Sequence, residues 1–455
     1  MARGTLAVPR VKAPLVPVQP CQATWPSALL LALFTFYSFS PINVLRYEAH
    51  WYGVLAFCLV IFAANRARFS VRAAGPFLAV SGLTILGALL TPLRSGFTGD
   101  VLNNNLGMSV ALLGCLFLLP ALAAERSRRW IVLSLLLCSL LWLLRLQSVV
   151  AELGDDARLA LAGRGHDRNY IAFNLVLGMT ILLGVALFWR SRRDGALLGR
   201  GIRIAALVGS LGMLMSLALT FSRSGSLVGL FMVFIGLLAY ALKNRTGGLV
   251  RALCLAALVA GLVLCSIPAI LARLPSWEMH FDRLAHWRTD DAMSSRRELL
   301  LKGWQIVCEN PIVGIGAGMS KFYVPQGGAA ERSGLLIHNG YLATWAELGS
   351  PGLAGVLAVL GIWLFEARLR IFARRAWPVD FICLLASGAM LVMNFFLDYG
   401  PVFWYFATLI CALTYERRLR GAGRNRFCQE HVAERSNVSR PLSSTGRHLR
   451  RPIPQ

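Results

Sequence analysis

Charge is scarce in this 455-residue chain: 15% of its residues are Asp, Glu, Lys or Arg, against about a quarter in ordinary soluble domains. Lysine is nearly absent, with Lys12, Lys243, Lys302 and Lys321 the only four. Yet the formal net charge is +24, and 56% of the residues are hydrophobic, for a mean hydropathy of +0.59. A nucleic-acid binder would explain the charge but not the apolar content, and a soluble enzyme would explain neither. The ten cysteines form no C-x-x-C pair, so neither a zinc site nor a redox motif is indicated. Seven of them (Cys58, Cys115, Cys138, Cys254, Cys265, Cys383, Cys411) sit inside apolar runs as small packing residues. No G-x-x-x-x-G-K-[ST] loop, no D-x-D and no internal repeat occurs, which argues against ATP-driven chemistry and favours a site without metal or other cofactor.

What the chain does have is long apolar runs. A stretch of ~20 apolar residues spans a bilayer core of about 30 Å, and twelve candidates follow one another: 25–40, 51–64, 75–91, 101–123, 130–150, 170–189, 204–220, 225–242, 252–272, 339–365, 379–397 and 401–415. This predicts an all-α polytopic membrane protein of about twelve transmembrane helices. Lys and Arg mark cytoplasmic loops. With the N-terminus inside, the cytoplasmic segments hold essentially all of the net charge, while the external ones sum to zero. Both termini are then cytoplasmic. The first run follows Arg3, Arg10 and Lys12 without a small-residue cleavage site, and reads as a retained anchor.

The domain reading follows from these spans. Residues 1–24 form a cytoplasmic segment, 25–415 a transmembrane domain, and 416–455 a basic tail with a disordered composition that lies against anionic lipid. Within the middle part, 273–338 is one long external, partly helical loop. Its length and its tryptophans (Trp277, Trp287, Trp304) mark it as folded and functional.

The external half carries five of the seven histidines: His50, His166, His280, His286 and His338. Four patterns stand out there. Gly165-His-Asp-Arg-Asn169 opens the sixth span, and Thr220-Phe-Ser-Arg-Ser-Gly225 is a very short turn that holds Arg223 at the membrane surface. Ser295-Arg296 starts a helix reaching Asn310-Pro311, after which Gly314, Gly316 and Gly318 turn the chain. Ile337-His338-Asn339-Gly340-Tyr341 leads into the tenth span, with Trp345, Glu347 and Gly349 following. The Gly314-to-Gly318 stretch imitates a dinucleotide loop, but no strand precedes it, so its glycines read as turn residues.

In this order and spacing the set resembles the O-antigen ligase/polymerase superfamily of bacterial membrane glycosyltransferases, from about Gly163 to Gly361. The segment from Arg296 through Pro311, Gly314 and Gly316 to His338 and Glu347-Leu-Gly349 is its most specific part. The resemblance implies a GT-C-like fold and an undecaprenyl diphosphate-linked glycan as donor, moved onto an acceptor at the outer face of the bacterial inner membrane. It implies further that Arg223 is the arginine of the family's S-R turn, Arg296 the arginine opening the loop helix, and His338 the loop-end histidine. Two positions depart from the pattern: Leu300 stands where tryptophan is frequent, and Asp167-Arg168-Asn169 stands where D-P-N is usual. Both bear on subfamily and acceptor rather than on reaction class.

The chemistry of the residues agrees. A diphosphate leaving group gathers negative charge that guanidinium groups stabilise bidentately while staying charged. A histidine titrates near neutrality and can take the proton of an acceptor hydroxyl. His338 is therefore the expected base, with Arg223 and Arg296 on the diphosphate and Arg297 as the neighbouring candidate for the same contact. Direct displacement at the anomeric carbon inverts configuration. Asp167 and Asn169 either bind sugar or cap a helix, Arg145 either meets lipid phosphate or snorkels, and Tyr341 shares a face with His338 and is a further substrate contact. Glu347, half a turn round from His338, reads as structural. The expected activity is a glycan ligase acting on lipid A-core, with repeat-unit polymerisation of O-antigen or exopolysaccharide as the sibling reaction and a growing glycan as its acceptor. A transporter is the reading from another class, and no nucleic-acid partner is expected.

Overall fold

The computed structural model describes residues 24–39, 50–64, 69–92, 99–153, 168–189, 196–219, 222–244, 291–320, 337, 339–372, 378–396 and 403–421. Among the described residues there is no strand. The helices are α1 (Trp25–Phe39), α2 (His50–Ala64), α3 (Val71–Leu90), α4 (Gly99–Leu116), the short α5 (Leu119–Ala123), α6 (Glu125–Leu153), α7 (Arg168–Phe188), α8 (Ala196–Leu219), α9 (Arg223–Lys243), α10 (Asp291–Glu309), α11 (Gly340–Phe372) and α12 (Pro378–Met393). Residues 403–416 form a further helix, α13. The chain divides into two compact units, 21–416 and a second made of 1–20 with 417–455; of the second, residues 417–421 are described, as helix.

Among the described residues six helices are long and apolar enough to cross a membrane: α3, α6 over Glu125–Arg145, α7, α8, α9 and α11. Trp25–Phe36, Leu55–Ala64 and α12 are apolar but shorter. Eleven of the twelve sequence-predicted spans fall on described helices, and the ninth, 252–272, lies outside the described residues. Helices are the expected solution, because hydrocarbon offers no partner to an open backbone N–H or carbonyl. α4 is apolar in its second half only; its first turns carry Asp100 and Asn103-Asn104-Asn105.

α7 is the central helix. It packs on α6, α8, α9 and α12, and every residue from Ile171 to Val185 is buried, as expected for a helix apolar all round. Close approach relies on small residues: a side chain at Gly178 would overlap Ser139 of α6, and one at Gly355 of α11 would overlap Thr84 of α3. Serine and threonine hydroxyls in the spans return to the carbonyl one turn earlier, as Thr84 does to Val80 and Thr180 to Val176. Aromatic heads bridge helices: Trp142 Nε1 donates to Phe39 O (2.8 Å) and Trp363 Nε1 to Leu384 O (2.8 Å). Leu89, Leu133, Leu144, Ile204, Val208, Leu227 and Phe234 are exposed, the surface a lipid phase covers.

Helix ends bury what charge counting treats as loop. α6 begins at Glu125 and α11 runs to Phe372, so residues 125–129 and 366–372, assigned to loops by their charge, are helical. Arg128 and Glu366 are wholly buried, with Asp380 and Glu416 nearly so. Arg128 Nη2 lies 2.9 Å from both Asp380 Oδ1 and Glu416 Oε2. Arg370 pairs with Asp380 and, at 3.5 Å, with Glu366. The ends of α6, α11, α12 and α13 are thus joined through one set of ions.

Candidate functional site

α10, the sequence-predicted loop helix, starts at Asp291 rather than at Ser295. One face, with Leu299, Ile306 and Val307, forms a core with Ile315, Ile337, Ala343 and Ala346. Gly303 lets α10 close on α11, since a methyl group there would stand 3.0 Å from Ile337 Cδ1 and 3.0 Å from Leu342 Cδ2. Helical phase then separates the two arginines. Position 296 is within about 20° of Gly303 and Val307, which are buried. Position 297 is equally close in phase to Trp304 and Cys308, which are exposed, and Arg297 is itself exposed.

Beyond α10 the chain turns on Gly314 (φ 58°), Gly316 (φ 114°) and Gly318 (φ 70°), a backbone that glycine adopts freely and other residues rarely do. Every N–H of this turn is already used. Gly314 N–H reaches Asn310 O, Ile315 N–H reaches Ala346 O (2.9 Å), Gly316 N–H reaches Glu347 O (2.8 Å) and Met319 N–H reaches Gly316 O. Ala317 N–H donates to Asn105 Oδ1 (2.8 Å), Gly318 N–H to Glu347 Oε2 (2.8 Å) and Ser320 N–H to Glu347 Oε1 (3.3 Å). With no N–H left to point at a phosphate, the turn is not an anion-binding loop. Glu347 also accepts from Ser320 Oγ (2.6 Å), so its carboxylate holds the turn, in keeping with the structural role read from its phase. Its backbone carbonyl lies just before the break in α11 at Gly349 (φ 68°, ψ −166°). At about 1.5 Å per residue a continuous α11 would be about 50 Å long, well beyond a bilayer core of about 30 Å; the break divides it.

His338 lies outside the described residues, but both flanks are held. Ile337 is buried against α10. Asn339 Oδ1 caps α11 by accepting from Tyr341 N–H (3.1 Å) and Leu342 N–H (2.9 Å), and Gly340 N–H donates to Asn394 O at 2.7 Å. Tyr341 spends its hydroxyl proton on Leu391 O (3.0 Å), and its ring centroid is 4.3 Å from that of Phe395. It therefore ties α11 to α12 rather than standing free in a cleft.

Arg223 is the first residue of α9. Ser222 caps it, its Oγ accepting from Gly225 N–H at 3.2 Å. Gly225 sits against α7, where a methyl group would meet Ala172 Cβ at 2.7 Å. The S-R turn is thus set beside the first turn of α7, which holds Asn169; Asp167 is outside the described residues. Arg145, on α6, stacks its guanidinium over Trp142 at 5.9 Å from the ring centre. The structure therefore brings two pairs of segments together: the starts of α7 and α9, and α10 with the start of α11. Among the described residues no group of three or more His, Cys, Asp or Glu is placed to hold a metal ion. Sequence reasoning missed Asn105, because nothing in a run of three asparagines says which one will receive a loop N–H from 212 residues away.

No curated protein matches the chain. Residues 208–357, from α8 through Arg223, α10 and the glycine turn into α11, match the family model described as O-Antigen ligase. Over that stretch, about a third of its length, the chain is similar to the O-antigen ligase superfamily, a likeness that supports a membrane glycosyltransferase of ligase or polymerase type.

Proposed function

We propose that this protein is an O-antigen ligase proper. It would take a glycan from an undecaprenyl diphosphate carrier and pass it to a hydroxyl of lipid A-core at the periplasmic face of the inner membrane. The observation that carries the reading is the family match, because the matched stretch contains Arg223, Arg296 and His338 together with the turn that orders the start of α11. In this reading His338 removes the acceptor proton, the acceptor oxygen attacks the anomeric carbon with inversion, and the diphosphate departs on Arg223 and Arg296. Arg296 is preferred to Arg297 because its helical phase is that of buried Gly303 and Val307. Asp167, Asn169 and Arg145 line the donor side, and no metal or cofactor takes part.

The test is transfer of a labelled glycan from a polyprenyl diphosphate donor to lipid A-core by purified protein in liposomes. His338→Ala is expected to lower the rate by about 10²–10⁴, as loss of a general base does. Arg223→Ala or Arg296→Ala should each lower it about 10²–10³. A fully folded His338→Ala protein working at the parental rate would remove His338 from its role. In cells, deletion that leaves uncapped lipopolysaccharide supports the ligase, whereas single repeats that no longer polymerise would mean the sibling reaction. Against the transporter reading stand the buried ions, which pair among themselves at one end of α6, α11, α12 and α13 rather than along a central path.

The twelve-span arrangement with cytoplasmic termini belongs to the same proposal. Cys308 is exposed on α10, whereas Cys58, Cys115, Cys138, Cys383 and Cys411 are buried and free. A membrane-impermeant maleimide applied to spheroplasts is expected to label Cys308 and to spare Cys21 and Cys428. Labelling of Cys428 in sealed cells would reverse the topology.

A further inference from the structure

The hydrogen-bond accounting around the glycine turn closes with one exception. Asn105, on α4, accepts from Ala317 N–H through its Oδ1 at 2.8 Å, which fixes the orientation of the carboxamide. Its Nδ2 is buried and has no acceptor, although the residue is only 4% exposed. Buried donors are almost always paired, and an unpaired one costs as much as a lost hydrogen bond. Asn104, partly exposed, stands next to it: a methyl group at Gly318 would meet Asn104 Nδ2 at 3.4 Å. Two carboxamide donors therefore adjoin a turn whose own N–H groups are all occupied, in the segment that leads to His338.

We propose that Asn105 Nδ2, with Asn104 beside it, is a binding subsite for an oxygen of the substrate's polar head, whether a phosphate oxygen or a sugar hydroxyl. The proposal rests on the transferase reading above. Carboxamides are neutral donors of fixed direction that suit both chemistries. The first turns of α4 also carry Asp100 and Asn103-Asn104-Asn105, which an apolar span would not need. The turn supplies position and the asparagines supply contact. Glu347, holding the turn from behind, is a positioning residue for this subsite.

Asn105→Asp separates the two duties of the side chain, because it keeps an oxygen for Ala317 N–H and deletes the amide donor. Its expected effect is a rise of about tenfold in KM for the lipid-linked donor, with kcat within about threefold of the parent. Asn104→Ala removes no bond that holds the turn, and should raise KM about threefold with no change in melting temperature. Polyprenyl diphosphate lacking the glycan, used as a competitor, separates the two sources. If its inhibition constant rises in step with KM, the oxygen is a phosphate's; if KM alone rises, it is a sugar's. Unchanged KM in Asn104→Ala and in folded Asn105→Asp would overturn the proposal, leaving Asn105 as a loop anchor with a buried water on its amide. Should Asn105→Asp not fold, Asn104→Ala decides alone. If the parent protein turns over no such donor, it is the transferase reading that fails.

Discussion

Arg128→Met is expected to destabilise the protein by about 3–5 kcal/mol, the usual consequence of removing one partner from a buried ion cluster. Arg128 is wholly buried. It bonds Asp380 and Glu416 at 2.9 Å each, and its Nη1 also donates to Leu122 O (3.2 Å) and Ala123 O, the free carbonyls at the end of α5. Methionine fills similar space but removes all of these contacts. In the parent two guanidinium groups face three carboxylates, since Arg370 serves Asp380 and Glu366 and Thr414 Oγ1 donates to Glu366 Oε1 at 2.9 Å. Without Arg128 a single guanidinium faces the same three. Arg128→Met combined with Glu416→Gln returns the local charge to its parental sum and leaves Asp380 its bond to Arg370, so the pair should recover a good part of the loss. Unfolding in a graded denaturing detergent measures both proteins. A double variant no more stable than Arg128→Met would show that packing, not charge, makes the cluster matter.

These ions also mark what the sequence conceals. Positive charge in short segments between apolar runs gives topology, and on that scale Arg128, Arg370 and Glu416 are simply loop charges. Their burial depends on partners far along the chain; Arg128 and Glu416 are 288 positions apart, beyond any local pattern. The apolar runs themselves were legible because hydrocarbon imposes length and polarity on each helix separately. The three turn glycines were legible for a similar reason, since φ is a property of one residue. Helix α10 was visible in the sequence, although its start lay four residues earlier than Ser295, where Asp291 gives no stronger start signal than its neighbours. Glu347 was assigned to structure by its phase relative to His338, but which atoms it would hold depended on the loop folding back onto α11. Asn105 required the same long-range fact.

That fold-back predicts the second large effect, at Gly349. Its backbone (φ 68°, ψ −166°) belongs to a region that only glycine occupies without strain. A methyl group there would overlap Ile312 O and stand 2.5 Å from Ile312 C and 2.9 Å from Val313 C. These are backbone atoms, so no change of rotamer relieves the clash. The opposing residue, Gly314, meets the same difficulty: its Cβ would lie 2.5 Å from Gly349 N and 2.6 Å from Glu347 C. Gly349→Ala and Gly314→Ala are therefore each expected to cost about 3 kcal/mol or more and to lower glycan transfer at least about 100-fold, because the Ile337–Tyr341 segment hangs on this joint. Glu347→Gln should be milder. The carboxamide keeps one acceptor for Ser320 but turns N–H groups toward Gly318 N–H, a loss of about 1–3 kcal/mol, and the pH dependence of transfer should keep its shape because Glu347 moves no proton. Gly361→Ala is the control within the same helix: nothing lies within 4 Å of the added methyl group, and the helix interior gains from alanine. The expected order of loss is Gly349→Ala above Glu347→Gln above Gly361→Ala, in stability and in rate alike. If Gly349→Ala matched Gly361→Ala on both measures, the joint between the glycine turn and the α11 break would not be what positions the segment carrying His338.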